Sequence, residues 1–239
     1  MRCWGITDGS AGMVAQVKAL AGALGLDAEM KKAELKSPWV GLPNGMVAGP
    51  MARFIPKLLS GDALAPPWPE LVISCGRRAA VVAMGLKRIA PQTKFIHIQD
   101  PQVSPKHFDL VIAMQHDRLV GKNVISTRFA LHSITPAKLE AEKARFAPLF
   151  AGYEPPLVAV LVGGSTNKYT LQPEAMAQLV MKLQRLQTAA PCSLLITPSR
   201  RTGEENIVML RNVFAGNPRV YLYDGQGENP YFGMLAVAD

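Results

Sequence analysis

The chain has 239 residues, 49% of them hydrophobic and 18% charged, with 20 Gly and 19 Pro scattered without period. So apolar a chain can offset its ordering entropy, which excludes long disorder. The unpatterned Gly and Pro exclude collagen-like sequence, and the length allows one large domain or two small ones. The formal charge is +8, and residues 1–150 carry all of it, with 19 Lys and Arg against 11 Asp and Glu, while residues 151–239 hold seven of each. That asymmetry favours an anionic partner for the front part, namely a phosphorylated substrate, an acidic lipid surface or nucleic acid.

Strand-like and helix-like segments alternate along the chain. Residues 3–6 form a short apolar run, and 11–24 carries Val14, Val17, Leu20 and Leu24 at helical spacing. A second apolar run follows at 71–74, then strand-like segments at 94–98, 110–114 and 123–127, with a helical pattern at 79–89. Thr135 reads as an N-cap with Pro136 at the first helical position, opening a helix to about Phe150. Gly152-Tyr153-Glu154-Pro155-Pro156 marks the expected boundary between domains 1–152 and 153–239. Beyond it the pattern restarts, with strands at 157–162, 193–197 and 219–223 and helices at 173–188, 203–214 and from about 229. Thr202-Gly203-Glu204-Glu205 fits a capping box. This alternation predicts an α/β fold of parallel βαβ units in two domains in series, the second incomplete.

The cysteines, Cys3, Cys75 and Cys192, are odd in number, widely spaced and form no CxxC. A disulfide framework is not expected, and a reducing cytoplasm fits. The N-terminus lacks the apolar core of a signal peptide, and the run 157–162 is too short to span a bilayer. Residues 46–59 form an amphipathic segment interrupted by Pro50 and Pro56. It is read as a surface helix, or as a peripheral contact with the inner membrane surface.

Parallel sheets bind ligands beyond the carboxyl ends of their strands. Polar clusters fall there seven times: 7–12, 75–78, 99–101, 115–118, 163–168, 198–202 and 224–230. One such loop is ordinarily structural, whereas seven, four of them carrying Arg or Lys, point to a phosphate-bearing ligand. Gly9 and Gly12 allow close backbone approach ahead of a helix N-terminus that favours an anion. Gly9-x-x-Gly12 is not a dinucleotide fingerprint, although Asp27 and Glu29 lie near the spacing of a ribose-binding acid. Gly163-Gly164-Ser165-Thr166 lacks the GK[ST] of a P-loop. A nicotinamide dehydrogenase and a P-loop ATPase are thereby demoted. The candidate bases are Asp8, whose structural alternative is to cap the first helix, and the pair His116-Asp117. His97 lies within a strand and reads as a core residue. No histidine pair has metal-ligand spacing, so no metal site and no cofactor are expected.

The run Trp4-Gly5-Ile6-Thr7-Asp8-Gly9-Ser10-Ala11-Gly12, then Gly76-Arg77-Arg78, Gln99-Asp100-Pro101, 108–112, Gln115-His116-Asp117, Gly163-Gly164-Ser165, Ser199-Arg200-Arg201-Thr202 and Gly227-Glu228-Asn229-Pro230-Tyr231 together resemble the elongated-mitochondria (mitochondrial fission) protein family, in order along the whole chain. The resemblance implies a GT-B-like architecture of two Rossmann-like domains facing across a cleft. It assigns Gly163, Gly164, Ser165, Ser199, Arg200, Arg201, Asn229 and Tyr231 to the nucleotide-sugar side. Asp8, Arg77, Arg78, Gln99, Asp100, His116 and Asp117 fall to the acceptor side. Relatives continue into a further strand and a helix with a Ser-rich turn, so the second domain is expected to be C-terminally truncated here.

The function expected is a metal-independent, inverting glycosyltransferase-like protein of the cytoplasm. Its co-substrate is a nucleotide-sugar and its acceptor an anionic or membrane-bound molecule. Asp8 or His116 acts as base, and Arg200 and Arg201 neutralise the leaving diphosphate. A non-catalytic adaptor and a nucleotide-sugar epimerase on the same fold are the alternatives. Nucleic acid ranks last, because the basic residues lack interleaved aromatics.

Overall fold

The computed structural model describes residues 1–37, 59–166 and 169–239, and the chain divides into compact units 1–133 and 134–239. The first unit holds β1 (Cys3–Thr7), α1 (Ala11–Ala23), β2 (Ala28–Leu35), β3 (Leu59–Gly61), β4 (Leu71–Cys75), α2 (Arg77–Ile89), β5 (Lys94–Ile98), β6 (Leu110–Met114) and β7 (Val124–Thr127). Its sheet runs β3-β2-β1-β4-β5-β6-β7, parallel throughout except for the antiparallel β2–β3 pair. Alternation along β1 explains the layers. Cys3 faces α1, packing with Val17 and Ala21, while Trp4 and Ile6 face α2, packing with Ala79, Ala80 and Ala83. The chain passes from β1 to β2 on one side and returns to β4 on the other, so the order reverses between β1 and β4.

The second unit holds α3 (Pro136–Phe150), β8 (Leu157–Val162), α4 (Pro173–Ala189), β9 (Ser193–Pro198), α5 (Glu204–Phe214), β10 (Val220–Leu222) and α6 (Tyr231–Val237). Its parallel sheet runs β10-β9-β8. Leu194 and Ile196 of β9 face α4 and α5, where they meet Met176, Val180, Leu210 and Phe214. Leu195 faces the other way, onto Phe150 of α3 and Met234 of α6.

Three features depart from the expected organisation. The division falls between Ser133 and Ile134, not after Gly152, because α3 packs onto α6, where a Cβ at Gly233 would lie 2.7 Å from Phe146. The charge asymmetry persists across the observed division, +7 for residues 1–133 against +1 for 134–239. Strands β2 and β3 have no counterpart in the apolar pattern. Four of the eight residues of β2 are charged and only Ala33 and Leu35 are buried, so nothing but pairing with β1 identifies it. The capping box at Thr202 does not form. Gly203, at φ +88°, takes the N-cap position, and the Thr202 hydroxyl is engaged elsewhere. By contrast, the Thr135 hydroxyl does accept from the Lys138 amide, at 3.2 Å, as its N-cap position predicts.

Residues 46–58 of the amphipathic segment lie outside the described residues, and Leu59 opens β3. Among the described residues no helix is long and apolar enough to cross a membrane.

Candidate functional site

All seven polar clusters lie at carboxyl ends of strands, four in the first unit and three in the second, with Asn167 and Lys168 outside the described residues. In the first unit the clusters after β1 and β4 flank the point where strand order reverses, the position at which open α/β sheets bind ligands. Gly9 adopts φ +86° and Gly76 φ +90°, conformations that favour glycine. Gly12 lies inside α1 with open space around it, so it leaves room and makes no turn. The Asp8 carboxylate accepts from the Ser10 amide at 2.9 Å, and the helix N-cap is Ser10 itself. Asp8 therefore orders the turn and does not cap the helix. Its charge also reaches the buried Cys75 thiol, which burial first and Asp8 second push up to about 12.

Arg77 and Arg78 occupy the first turn of α2, which contains no acidic residue. Cations at the positive end of a helix dipole are unfavourable without a compensating anion. Glu34, at the carboxyl end of β2, lies 4.0 Å from Arg78, and the Lys32 side chain covers Gly9. Asp27 and Glu29 cannot serve as the ribose-binding acid. Glu29 is in register with Trp4, and Asp27 precedes it, so both sit near the amino end of β2, ~10 Å or more along the strand from the edge where Thr7 pairs with Lys32.

Gln99, after β5, adopts φ +81°, a left-handed conformation uncommon for a residue with a side chain, while its amide donates to the Ile112 carbonyl at 2.8 Å. The Asp100 carboxylate accepts from the Gln102 amide at 2.8 Å. After β6, the Asp117 carboxylate accepts from the Met114 amide at 3.2 Å and lies 3.5 Å from His116 Nε2. His116 is 70% exposed. Since β1 and β6 are three strand spacings apart, the Asp8 and His116 backbones are separated by ~14 Å. The two candidate bases are not partners at one reacting atom. His97 is fully buried, with its Nδ1 2.8 Å from the Ser74 hydroxyl, its ring stacked on Phe108 and its Nε2 unpartnered among the described residues. Burial pushes it down to about 3, so it is neutral in the folded protein.

In the second unit the loops after β8 and β9 are joined. The Thr202 hydroxyl donates to the Gly163 carbonyl at 2.6 Å and accepts from the Ser199 amide at 2.9 Å. The Ser165 amide donates to the Arg201 carbonyl at 2.9 Å. Gly164 is required there, because a Cβ would overlap the Arg201 carbonyl group. Asn206 extends the join, donating to the Thr202 and Leu171 carbonyls at 2.8 and 3.1 Å. The loop after β10 is tied on its own side. Tyr223 donates to the Gly227 carbonyl, Arg211 donates to the Asp224 carbonyl at 3.1 Å, and Asn229 accepts from the Tyr231 amide at 3.0 Å.

Two adjoining cavities result. The larger, about 630 Å³, lies between the ends of β9 and β10 and contains Arg200, Arg211, Tyr223 and Asp224. The smaller, about 390 Å³, lies between the ends of β8 and β9 and contains Gly163, Arg201 and Tyr231. Ser199 and Asn229 line both. The neighbouring arginines of the Ser199 turn thus serve different cavities. Among the described residues neither guanidinium has a hydrogen bond or an ion pair. Arg211 and Lys32 escape detection in the sequence, one being an ordinary basic residue near a helix end and the other lying in the unrecognised β2.

The profile of the mitochondrial fission ELM1 family matches residues 11–239. The chain is 30% identical over 196 residues to mitochondrial fission protein ELM1 of Arabidopsis thaliana, a match covering 72% of this chain and 45% of that one. It is 24% identical over 204 residues to an uncharacterised protein of Rickettsia prowazekii, covering 71% and 57%. The chain thus spans about half the length of these curated relatives. Among solved structures, a UDP-GlcNAc 2-epimerase from Neisseria meningitidis bound to UDP-GlcNAc superimposes on the whole chain and on 76% of its own, with a TM-score of 0.52 and 9% identity. That likeness establishes the GT-B-like fold class of the chain.

Proposed function

The chain belongs to the mitochondrial fission ELM1 family, and from that premise we propose that it is a glycosyltransferase-like protein taking a nucleotide-sugar donor on its second unit and an anionic acceptor on its first. The observation that carries this reading is the pair of cavities at the carboxyl edge of the β10-β9-β8 sheet. They hold three arginines, two of them without a partner among the described residues. Guanidinium groups and preorganised backbone amides stabilise a departing diphosphate without a metal ion. The donor side comprises Gly163, Gly164, Ser165, Ser199, Arg200, Arg201, Asn229 and Tyr231.

On the first unit, Arg77 and Arg78 at the start of α2, with Lys32 beside Gly9, attract an anionic or membrane-bound acceptor. Asp8 is the base we assign, since it alone of the two candidates sits where the strand order reverses. Calorimetric titration with UDP-, GDP- and CMP-sugars tests the reading. Binding of one class at micromolar concentration is expected, and binding of none overturns it.

A second reading is supported by the Arabidopsis relative, which is described as a mitochondrial fission protein. On this reading the fold is retained as a non-catalytic adaptor. It requires that Asp8→Asn leave partner capture intact while no sugar transfer is detected in the wild type.

A further inference from the structure

Strand β7 closes one end of the first unit's sheet, pairing with β6 on its inner side and, among the described residues, with no strand on its outer side. The Val111 amide donates to the Asn123 carbonyl at 2.8 Å, so in this parallel ladder the backbone groups of Ile125 face β6 as well. The Val124 carbonyl and both backbone groups of Ser126 therefore point outward. The edge is pinned at both ends. Asn123 donates to the Pro105 and Phe108 carbonyls at 2.8 and 2.9 Å, and the Thr127 hydroxyl donates to the Phe129 carbonyl at 2.9 Å. Val120 is 84% exposed, Phe129 73% and Ile125 51%. Residues 118–133 carry Arg118, Lys122 and Arg128 and no Asp or Glu, and none of these cations has an ion pair among the described residues.

We propose that this edge binds an extended acidic segment of a partner protein, which adds to the sheet as a further strand beside β7. Charge selects the occupant first. Lys122 and Arg128 flank β7 at opposite ends, so the added strand carries Asp or Glu toward its ends, with apolar side chains between them over Val120, Ile125 and Phe129. A second copy of β7 would bring like charges together, since basic side chains on an edge oppose self-pairing. A bilayer would cover the outward amide and carbonyls without offering them a partner. Burying backbone groups unpaired is costly, whereas a strand satisfies each of them. The proposal is independent of the donor and acceptor readings, because β7 carries none of the residues assigned to either.

The test is fluorescence anisotropy of a labelled acidic peptide, EDVTVTVDE, titrated with the full chain. One control peptide has proline for each threonine, which removes ladder amides, and another has lysine for each acid. The variants are Ser126→Pro and the double variant Lys122→Glu with Arg128→Glu, and thermal unfolding confirms that each is folded. Ser126→Pro removes an outward amide and leaves the β6 ladder intact, the placement at which an edge strand tolerates proline. The wild type is expected to bind the acidic peptide and neither control. Ser126→Pro is expected to weaken that binding by about tenfold. The double variant is expected to lose the acidic peptide and gain the basic one. No binding of the acidic peptide by the wild type overturns the proposal, as does equal binding of the proline peptide or an unaffected Ser126→Pro. Sedimentation with vesicles of equal parts phosphatidylcholine and phosphatidylglycerol tests the bilayer. Binding that the double variant loses and Ser126→Pro keeps assigns the edge to a membrane, and a wild-type dimer that Ser126→Pro dissociates assigns it to a second copy. Either result also overturns the proposal.

Discussion

The Thr202 hydroxyl donates to the Gly163 carbonyl at 2.6 Å, bridging the loops that follow β8 and β9. Because the same oxygen accepts from the Ser199 amide, one side chain sets the spacing between the two loops that line the smaller cavity. Thr202→Val keeps the shape and removes both bonds. It is expected to destabilise the chain by about 1–3 kcal/mol, chiefly through the Gly163 carbonyl left without its donor, since the Ser199 amide keeps its bond to the Val162 carbonyl, and to weaken donor binding. Gly164→Ala is expected to reduce donor affinity as well, since its new methyl group displaces the Arg201 carbonyl. Urea unfolding and calorimetry on the two variants check both expectations.

The separation of Asp8 from His116 makes the choice of base measurable. Asp8→Asn is expected to lower sugar transfer by about 10²–10⁴-fold with donor affinity unchanged, whereas His116→Ala retains most of the rate. Rates and dissociation constants measured side by side give the answer.

His97 gives the protein an acid sensitivity unrelated to its ligands. Its folded value lies near 3 and its ordinary value at 6.5. The unfolded chain therefore binds the proton first, so stability is fully present above pH 6.5 and is lost as pH falls toward 3. The slope approaches about 1.4 kcal/mol per pH unit in that interval. The window between pH 6.5 and 4.5 lies above the ordinary carboxylate range. Glu70 and Asp109, whose carboxyls are held below their ordinary values by hydrogen bonds, add their own losses only as pH falls through 4.5. Urea midpoints of the wild type are expected to fall across this window, and those of His97→Gln to stay nearly level.

Gln99 carries backbone strain at the ligand edge. Gln99→Gly removes the steric cost of φ +81° and is expected to raise stability by about 0.5–1 kcal/mol while weakening acceptor binding. Thermal unfolding and an acceptor titration, taken together, separate these opposite signs.

Most of the architecture was legible because strands buried on both faces read as continuous apolar runs. Strands β4 and β6 fall on the runs 71–74 and 110–114, and Thr135 marks a helix start through a bond its hydroxyl does make. Strand β2 was not legible, since its Glu29, Lys31, Lys32 and Glu34 are charged and its identity comes from register with β1. The loop positions of the candidate site followed from strand order, but the grouping within it did not. Nothing local in the sequence says that Arg200 and Arg201 face different cavities, or that Arg211 joins the first of them from a helix nine residues beyond the turn. The boundary near Gly152 was misplaced because proline and charge signals mark a turn, whereas the division follows where Phe146 and Phe150 are buried.

The arginines opening α2 also make solvent ions a partner of the fold. With Arg77 and Arg78 at the helix's positive end and no acid in its first turn, added salt screens the field there together with the Arg78–Glu34 ion pair. Phosphate and sulfate, which accept from several amides and guanidiniums at once, are expected to raise the melting temperature of the chain more than chloride does at equal ionic strength. Buffer composition thus becomes a variable in every affinity measured on the first unit.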